Sequence, residues 1–245
     1  MNFLKLRDGF RAAVFGASGG IGSAFVKALR EDPRCAMIYT GSRAAHDDAA
    51  KTRAFAFDLN EEGAIAAAAE KISAEGEVDL ILVATGVLHD ESLKPEKTMR
   101  ALGADALLRS FTLNAVGPAL IAKHFLPLLP RERHSIFAAL SARVGSISDN
   151  RSGGWHAYRA SKAALNQIIR TCAIELAMKN KNAVCVTLHP GTVDTAMSKP
   201  FQVGVPAEKL FTPDYSAGQL LKVLSRLSPD DSGGFFAWDG HAVSF

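Results

Sequence analysis

Seven residues, Gly16-Ala17-Ser18-Gly19-Gly20-Ile21-Gly22, follow directly on the first apolar run, Arg11–Phe15. Ala24, Phe25, Ala28 and Leu29 then recur at helical spacing until Asp32-Pro33. Strand, glycine turn, helix is the layout that sets the free amides of a helix N-terminus against a pyrophosphate. Glycine is needed because a β-carbon would block both the tight turn and the close approach of a phosphate. Gly16, Gly20 and Gly22 spell Gly-x-x-x-Gly-x-Gly, while Gly16, Gly19 and Gly22 spell Gly-x-x-Gly-x-x-Gly. Placed after the first strand, the turn predicts a dinucleotide site that includes Ser18 and Ile21.

The next stretches alternate strand and helix. Ala36–Thr40 reads as a second strand running into Gly41-Ser42-Arg43, where the adenosine ribose would lie. A carboxylate there would suit the ribose hydroxyls of NAD, whereas an arginine suits a 2′-phosphate. The first carboxylate is Asp47, so Ser42 and Arg43 favour NADP(H) over NAD(H). Ala54–Leu59 reads as a third strand with Asp58 at its carboxyl end, in reach of an adenine edge. An alanine-rich helix over Glu61–Glu75 leads to Val78–Ala84, a buried parallel strand ending in Thr85-Gly86-Val87-Leu88. This alternation predicts an α/β, doubly wound Rossmann fold, a single domain over 1–245 with a mostly parallel sheet of about seven strands.

Lys97–Leu129 carries a long helix starting near Ala104, which Asn114-Ala115-Val116-Gly117-Pro118 should kink. Asn114 there could bond a freed carbonyl or anchor a water chain. Ser135–Ser141 and Asn182–His189 read as the fifth and sixth strands, the latter closing at Pro190-Gly191-Thr192-Val193-Asp194-Thr195, and Gly233–Gly240 as a last strand and turn. Lys199–Phe211, rich in Pro, Gly and Val, has the composition of a mobile loop or lid. Between the fifth and sixth strands a helix begins near Ala157, with Tyr158 and Lys162 four residues apart on one face. An ammonium close to a phenol favours the phenolate, and a phenol tuned toward neutrality can exchange a proton with a carbonyl or alcohol oxygen.

Composition excludes several function classes. Charged residues make up 22% and the net charge is only +3, with no long basic run, which gives no support to nucleic-acid or membrane-surface binding. No apolar run approaches the ~18 residues that span a bilayer, and the N-terminus lacks a signal-peptide core. Cys35, Cys172 and Cys185 are odd in number and widely spaced, as in a reduced cytoplasmic protein. No His-Glu-x-x-His occurs, so no metal is expected; His89, His156 and His189 read as loop or cleft-wall residues.

In combination, Gly16-x-x-x-Gly20-x-Gly22, Asp58-Leu59, Ala84-Thr85-Gly86, Asn114-x-x-Gly117, Tyr158-x-x-x-Lys162 and Pro190-Gly191-x-x-x-Thr195 resemble the short-chain dehydrogenase/reductase family over nearly the whole chain. Gly86-Val87-Leu88-His89, Ser141–Ile147 and Trp238-Asp239-Gly240 are most similar to its C-factor/sniffer-like carbonyl reductase branch. The resemblance implies hydride transfer between NADP(H) and a small carbonyl or alcohol substrate. It implies Tyr158 as proton donor, Lys162 lowering its pKa and bonding the nicotinamide ribose, Asn114 holding a relay water, and a serine orienting the substrate oxygen. It also implies cofactor contacts from Leu59, Ala84, Thr85, Gly86, Pro190, Gly191, Val193 and Thr195, and a homodimer or homotetramer. Leu107, Phe111, Ile121 and Phe125 on one helix, and Leu165, Ile168, Ile169 and Leu176 on the other, supply apolar faces for pairing.

Two departures stand out. The family's Asn-Asn-Ala-Gly is Val83-Ala84-Thr85-Gly86, and its Ser-x-x-Gly, counted back from Gly145, lands on Ala142. Ser141 is the expected substrate-orienting serine and Ser146 the fallback. Strand alternation then calls for an irregular backbone at Ser141–Arg143 to turn Ser141 inward. Substrate would meet Ser141–Gly154 and Lys199–Phe211. The shifted serine also leaves room for a non-catalytic dinucleotide sensor on the same fold. Only 87 residues follow Tyr158 (245 − 158), too few for the added substrate domain of the epimerase branch.

Overall fold

The apolar runs are flanked by glycine and charged turns and separated by helical periods, and each becomes a strand of one sheet. The computed structural model describes residues 4–44 and 48–245. Asp47 lies outside the described residues. The strands are β1 (Phe10–Phe15), β2 (Cys35–Ser42), β3 (Thr52–Ala56), β4 (Leu80–Val83), β5 (Ser135–Leu140), β6 (Ala183–His189), a short β7 (Thr192–Val193) and β8 (Leu210–Phe211), and β9 (Phe235–Ala237). Seven form a sheet in the order β3-β2-β1-β4-β5-β6-β9, every neighbour parallel; β7 and β8 pair separately. This is the doubly wound architecture expected. The order reverses at β1, so the crevice at the carboxyl ends of β1 and β4 is where such a sheet receives ligands.

Helices α1 (Gly20–Glu31) and α6 (Pro213–Arg226) cover one face of the sheet. The opposite face is covered by α2 (Glu62–Ser73), α4 (Gly117–Phe125) and α5 (His156–Ala177). Both faces are buried, which is why the strands read as unbroken apolar runs. Strand parity sorts the residues between the layers. Ala12, Val14, Ala138 and Leu140 face α1 and α6, whereas Ala13, Phe15, Phe137 and Ala139 face α2, α4 and α5.

The long central helix differs in detail from the expectation. It begins with α3 (Ala104–Phe111), widens into a π turn over Thr112–Val116 and continues as α4. Pro118 has no N–H to offer the carbonyl of Asn114 four residues before it, and the helix adjusts by widening. Gly117 lets this segment press on Leu59, where an added Cβ would stand 2.6–3.0 Å from that side chain. The stretch Lys199–Phe211 is not wholly loose: its last two residues are β8, tied to β7.

At the opposite, amino end of β4, Asp79 is fully buried and accepts from the Arg11 N–H at 3.0 Å, Arg133 Nε at 2.8 Å and Arg7 Nε at 3.4 Å. Among the described residues, no helix is long and apolar enough to cross a membrane.

Candidate active site

The carboxyl ends of β1, β4, β5 and β6 frame a cleft of about 750 Å³. Its floor is the turn between β1 and α1. Gly16 has φ +79°, and a Cβ there would stand 2.9 Å from the Ala84 carbonyl oxygen. A Cβ on Gly22 would fall 2.0 Å from the Gly16 carbonyl, so only glycine permits the turn to close. The first bond of α1 runs from the Ser23 N–H to the Gly19 carbonyl, α1 has no side-chain cap and its first turn carries no acidic residue. Its opening amides therefore present an uncompensated positive helix end to the cleft. Ser18, Gly19, Gly20 and Ile21 line the cleft; Gly22 sits beneath it as the packing glycine.

Around this floor the structure collects most of the residues singled out in the sequence. Ser42 and Arg43 stand at the end of β2, with the Ser42 hydroxyl bonded to the Ala44 carbonyl and Arg43 exposed at the rim. Asp58 and Leu59 line the next wall, where Asp58 Oδ1 accepts from the Asn60 backbone and side-chain nitrogens at 2.8 and 2.6 Å. Ala84, Thr85 and Gly86 follow β4, and Pro190 and Thr195 close the far side. Gly191 and Val193 do not line the cleft. Gly191 has φ +80° beneath Phe211, and Val193 is buried in the β7–β8 pair.

Tyr158 and Lys162 lie on the first turns of α5 and both face the cleft. Lys162 is 3% exposed, donates to the Leu140 carbonyl at 2.8 Å and sits 5.9 Å from the Tyr158 ring centre. Burial pushes the Tyr158 phenol up to about 12 and pulls the Lys162 ammonium down to about 8. Desolvation is the cause of both shifts, and the Lys162 ammonium is turned toward the Leu140 carbonyl.

Ser141 lines the same wall. Its N–H donates to the Leu188 carbonyl at 2.8 Å, continuing the β5 ladder, and Ala142 is extended at φ −148°, ψ 146°. The expected irregularity at Ser141–Arg143 is not needed: a tight 3-10 turn begins only at Arg143. Ser141 shares the parity of Phe137 and Ala139, the face covered by α5, so regular alternation itself aims it at Tyr158's layer. Its hydroxyl is buried without a partner, as is that of Thr85. Ser146 lies outside the cleft and its Oγ accepts from the Asp149 N–H at 3.2 Å.

Asn114 is fully buried behind the cleft. Its Oδ1 accepts from the Val87 N–H at 2.8 Å, and its Nδ2 donates to the Val87 carbonyl at 2.9 Å and to Ser161 Oγ at 3.1 Å. The π turn thus braces the segment after β4.

The cleft is also lined by His89, expected as a loop or cleft-wall residue, and by Asp90 and Arg109, which the sequence did not single out. His89 Nε2 bridges the carbonyls of Ala196 and Met197 at 3.3 and 3.0 Å, joining the two lips. Arg109 grips Asp90 at 2.6 Å on the rim and holds that carboxyl well below the usual range. Phe201 stacks edgewise on His89 and Trp155, and Trp155 on Tyr158, which makes an aromatic wall beside the phenol. The pattern of His89 as a lone loop histidine and Phe201 in a Pro-rich stretch gives no spacing that would bring them together.

A family model described as short chain dehydrogenase matches residues 11–204. The chain belongs to the short-chain dehydrogenases. C-signal of Myxococcus xanthus is 39% identical over 137 residues, covering 56% of this chain and 77% of that one. The 1-hydroxy-2-glutathionyl-2-methyl-3-butene dehydrogenase of a Rhodococcus species is 31% identical over 233 residues, 93% of this chain and 96% of that one. Among solved structures, NADPH-bound carbonyl reductase from chicken fatty liver superposes with a TM-score of 0.84 at 24% identity, covering 99% of this chain and 96% of that one. Carbonyl reductase Sniffer of D. melanogaster gives 0.83 at 23% identity, covering 98% and 100%. These two share the fold. As a short-chain dehydrogenase the chain is an oxidoreductase, and its sequence relatives include the C-signal anticipated from the motifs.

Proposed function

We propose that this short-chain dehydrogenase moves hydride between NADP(H) and a small carbonyl or alcohol compound, with Tyr158 as general acid and base. The observation that carries the reading is the Ser141 hydroxyl, buried and unpartnered on the wall that also bears Tyr158 and Lys162. A buried hydroxyl without a bond is costly, and a substrate oxygen is the partner this wall has room for. The residues also fit a dinucleotide: a glycine floor with no space for a β-carbon, open helix amides and a second orphaned hydroxyl, on Thr85, in the same cleft. The cofactor supplies hydride when bound.

The chain supplies position and protons. Ser141 donates to the substrate oxygen and fixes its direction. Tyr158, protonated at neutral pH, gives its proton to that oxygen as negative charge develops there. Lys162 recharges the phenol from the cation side of the wall and offers its ammonium to a ribose. The Asn114 carbonyl, deprived of its usual donor by Pro118, holds a water on the way to Lys162, while the Asn114 side chain remains committed to Val87 and Ser161. Arg43 favours NADP(H), being an exposed guanidinium at the end of β2 on the rim of the cleft. The exposed apolar residues Leu108 and Val116 of the central helix and Ile174 and Met178 at the end of α5 support a homodimer or homotetramer.

One set of assays tests the enzyme reading. Tyr158→Phe should lose ~10²–10⁴-fold in kcat with NADPH affinity nearly intact. Arg43→Ala should weaken NADPH by roughly tenfold and leave NADH alone, as for a lost charge-assisted bond of about 1.5 kcal/mol or more. A Tyr158→Phe protein that still reduces carbonyls would sink the mechanism, and equal losses for both nucleotides would sink the preference.

A further inference from the structure

We propose that Glu96 is a positioning residue for Tyr158, acting by capping α5 from a distant segment. The inference rests on the role given to Tyr158 above.

Helix α5 starts without help from its own neighbourhood. Its N-cap is Trp155, in the left-handed region at φ +51°, ψ 42°, with no side-chain cap and no acidic residue in the first turn. Gly153 and Gly154 before it are also left-handed, at φ +61° and +66°. Three such residues in succession leave the helix entry with no preferred local path, and a tryptophan there is strained. The path is fixed instead by the connection between β4 and α3. The Glu96 carbonyl accepts from the Trp155 N–H, and Glu96 Oε2 accepts from the Ala157 N–H at 3.2 Å. Ala157 is the second helical residue, whose amide an N-cap side chain ordinarily satisfies. Gly154 packs on the carbonyls of Glu96 and Lys97, where a Cβ would meet them at 3.4 and 3.5 Å. Tyr158 is the next residue along.

Glu96 is 4% exposed, its Oε1 has no hydrogen-bond partner, and among the described residues no cation pairs with it. A buried carboxylate kept without a counter-ion is a poor device for stability. Its reach is what the helix uses. One oxygen makes the bond and the other is idle, so an amide of the same length can replace the acid, whereas a shorter acid cannot.

The test compares Glu96→Gln, Glu96→Asp and Glu96→Ala with the parent and with Tyr158→Phe. Turnover is counted per NADPH-binding site, well below each melting temperature, on the aldehyde, ketone or quinone that the parent reduces fastest. Amide exchange at Ala157 is measured on the same proteins. Glu96→Gln is expected to stay within threefold of the parent in kcat, to melt no lower and to keep Ala157 protected. Glu96→Asp and Glu96→Ala are expected to lose about tenfold or more in kcat, as for a misplacement of ~1 Å, with KM and NADPH affinity within threefold. Ala157 should exchange at least tenfold faster in both. Full activity in Glu96→Asp with loss in Glu96→Gln would assign the effect to charge and overturn the proposal, as would unchanged kcat in all three. Should Glu96→Ala fail to fold, the Gln and Asp pair decides alone. If Tyr158→Phe keeps its activity, or the parent reduces no carbonyl, the role of Tyr158 falls; amide exchange still reads the capping by itself.

Discussion

Lys162 pays for its position with its charge. An ammonium 3% exposed, held by one carbonyl at 2.8 Å, has its pKa pulled down by burial from 10.5 to about 8. Between those values the unfolded chain binds the proton and the folded chain does not, so this residue makes stability rise with pH across that window. Below about pH 8 the penalty is fully present. A difference of 2.5 pKa units (10.5 − 8) is worth roughly 3 kcal/mol, offset by about 1 kcal/mol for the bond to Leu140. Lys162→Met should therefore be more stable than the parent at pH 7 by about 1–2 kcal/mol while losing activity, the trade-off expected of a functional residue. Denaturant midpoints taken at pH 7 and pH 10 check this; a gain that does not shrink at the higher pH would contradict it. In the parent, carbonyl reduction should hold to about pH 8 and decline above it as the ammonium titrates, since Tyr158 stays protonated to about pH 12.

At the scale of elements, the π turn and the segment after β4 form one unit with the cleft wall at Leu59. Gly117→Ala would place a Cβ 2.6–3.0 Å from Leu59, and Leu59 lines the cleft. The expected cost is about 1–3 kcal/mol of overpacking together with weaker nucleotide binding, because Leu59 must move into the cleft. Calorimetric titration with NADPH and a thermal melt read the two effects; a loss of stability with unchanged affinity would detach Leu59 from the site. Local pattern is what made the strands, the glycine turn and α5 legible in the sequence: each is written in the spacing of its own residues. The widening at Thr112–Val116 was signalled by Pro118, though as a kink. Helix α6 carries ordinary signals, Thr212 as cap, Pro213 at its start and Leu220, Leu221 and Leu224, yet it goes unassigned in the sequence reading. The cap on α5 is not legible, because Glu96 lies 61 residues before Ala157. Nor is the direction of Ser141, which depends on the layer that each β5 parity faces and so on the packing of a helix elsewhere in the chain.

Across the whole molecule, the helix faces expected to pair were partly spent on the core: Ile121, Phe125, Leu165 and Ile169 are buried against the sheet. The surplus lies on Leu108, Val116, Ile174 and Met178, at 68%, 46%, 51% and 77% exposure. Light scattering at micromolar concentration should return at least a dimer, and Leu108→Glu with Ile174→Glu should shift it to the monomer mass; a parent that is already monomeric would leave these faces without a partner. The sheet itself has two unlike ends. Everything offered to a ligand gathers where the strands finish, while at the start of β4 a sunken carboxylate binds three arginines, Arg7, Arg11 and Arg133, through two side chains and one backbone amide. The two ends can therefore change independently over evolutionary time. Loops at the finishing end can be rewritten to admit a new substrate, while at the anchored end the loss of the Asp79 carboxyl would leave the donors of Arg7, Arg11 and Arg133 without their shared acceptor.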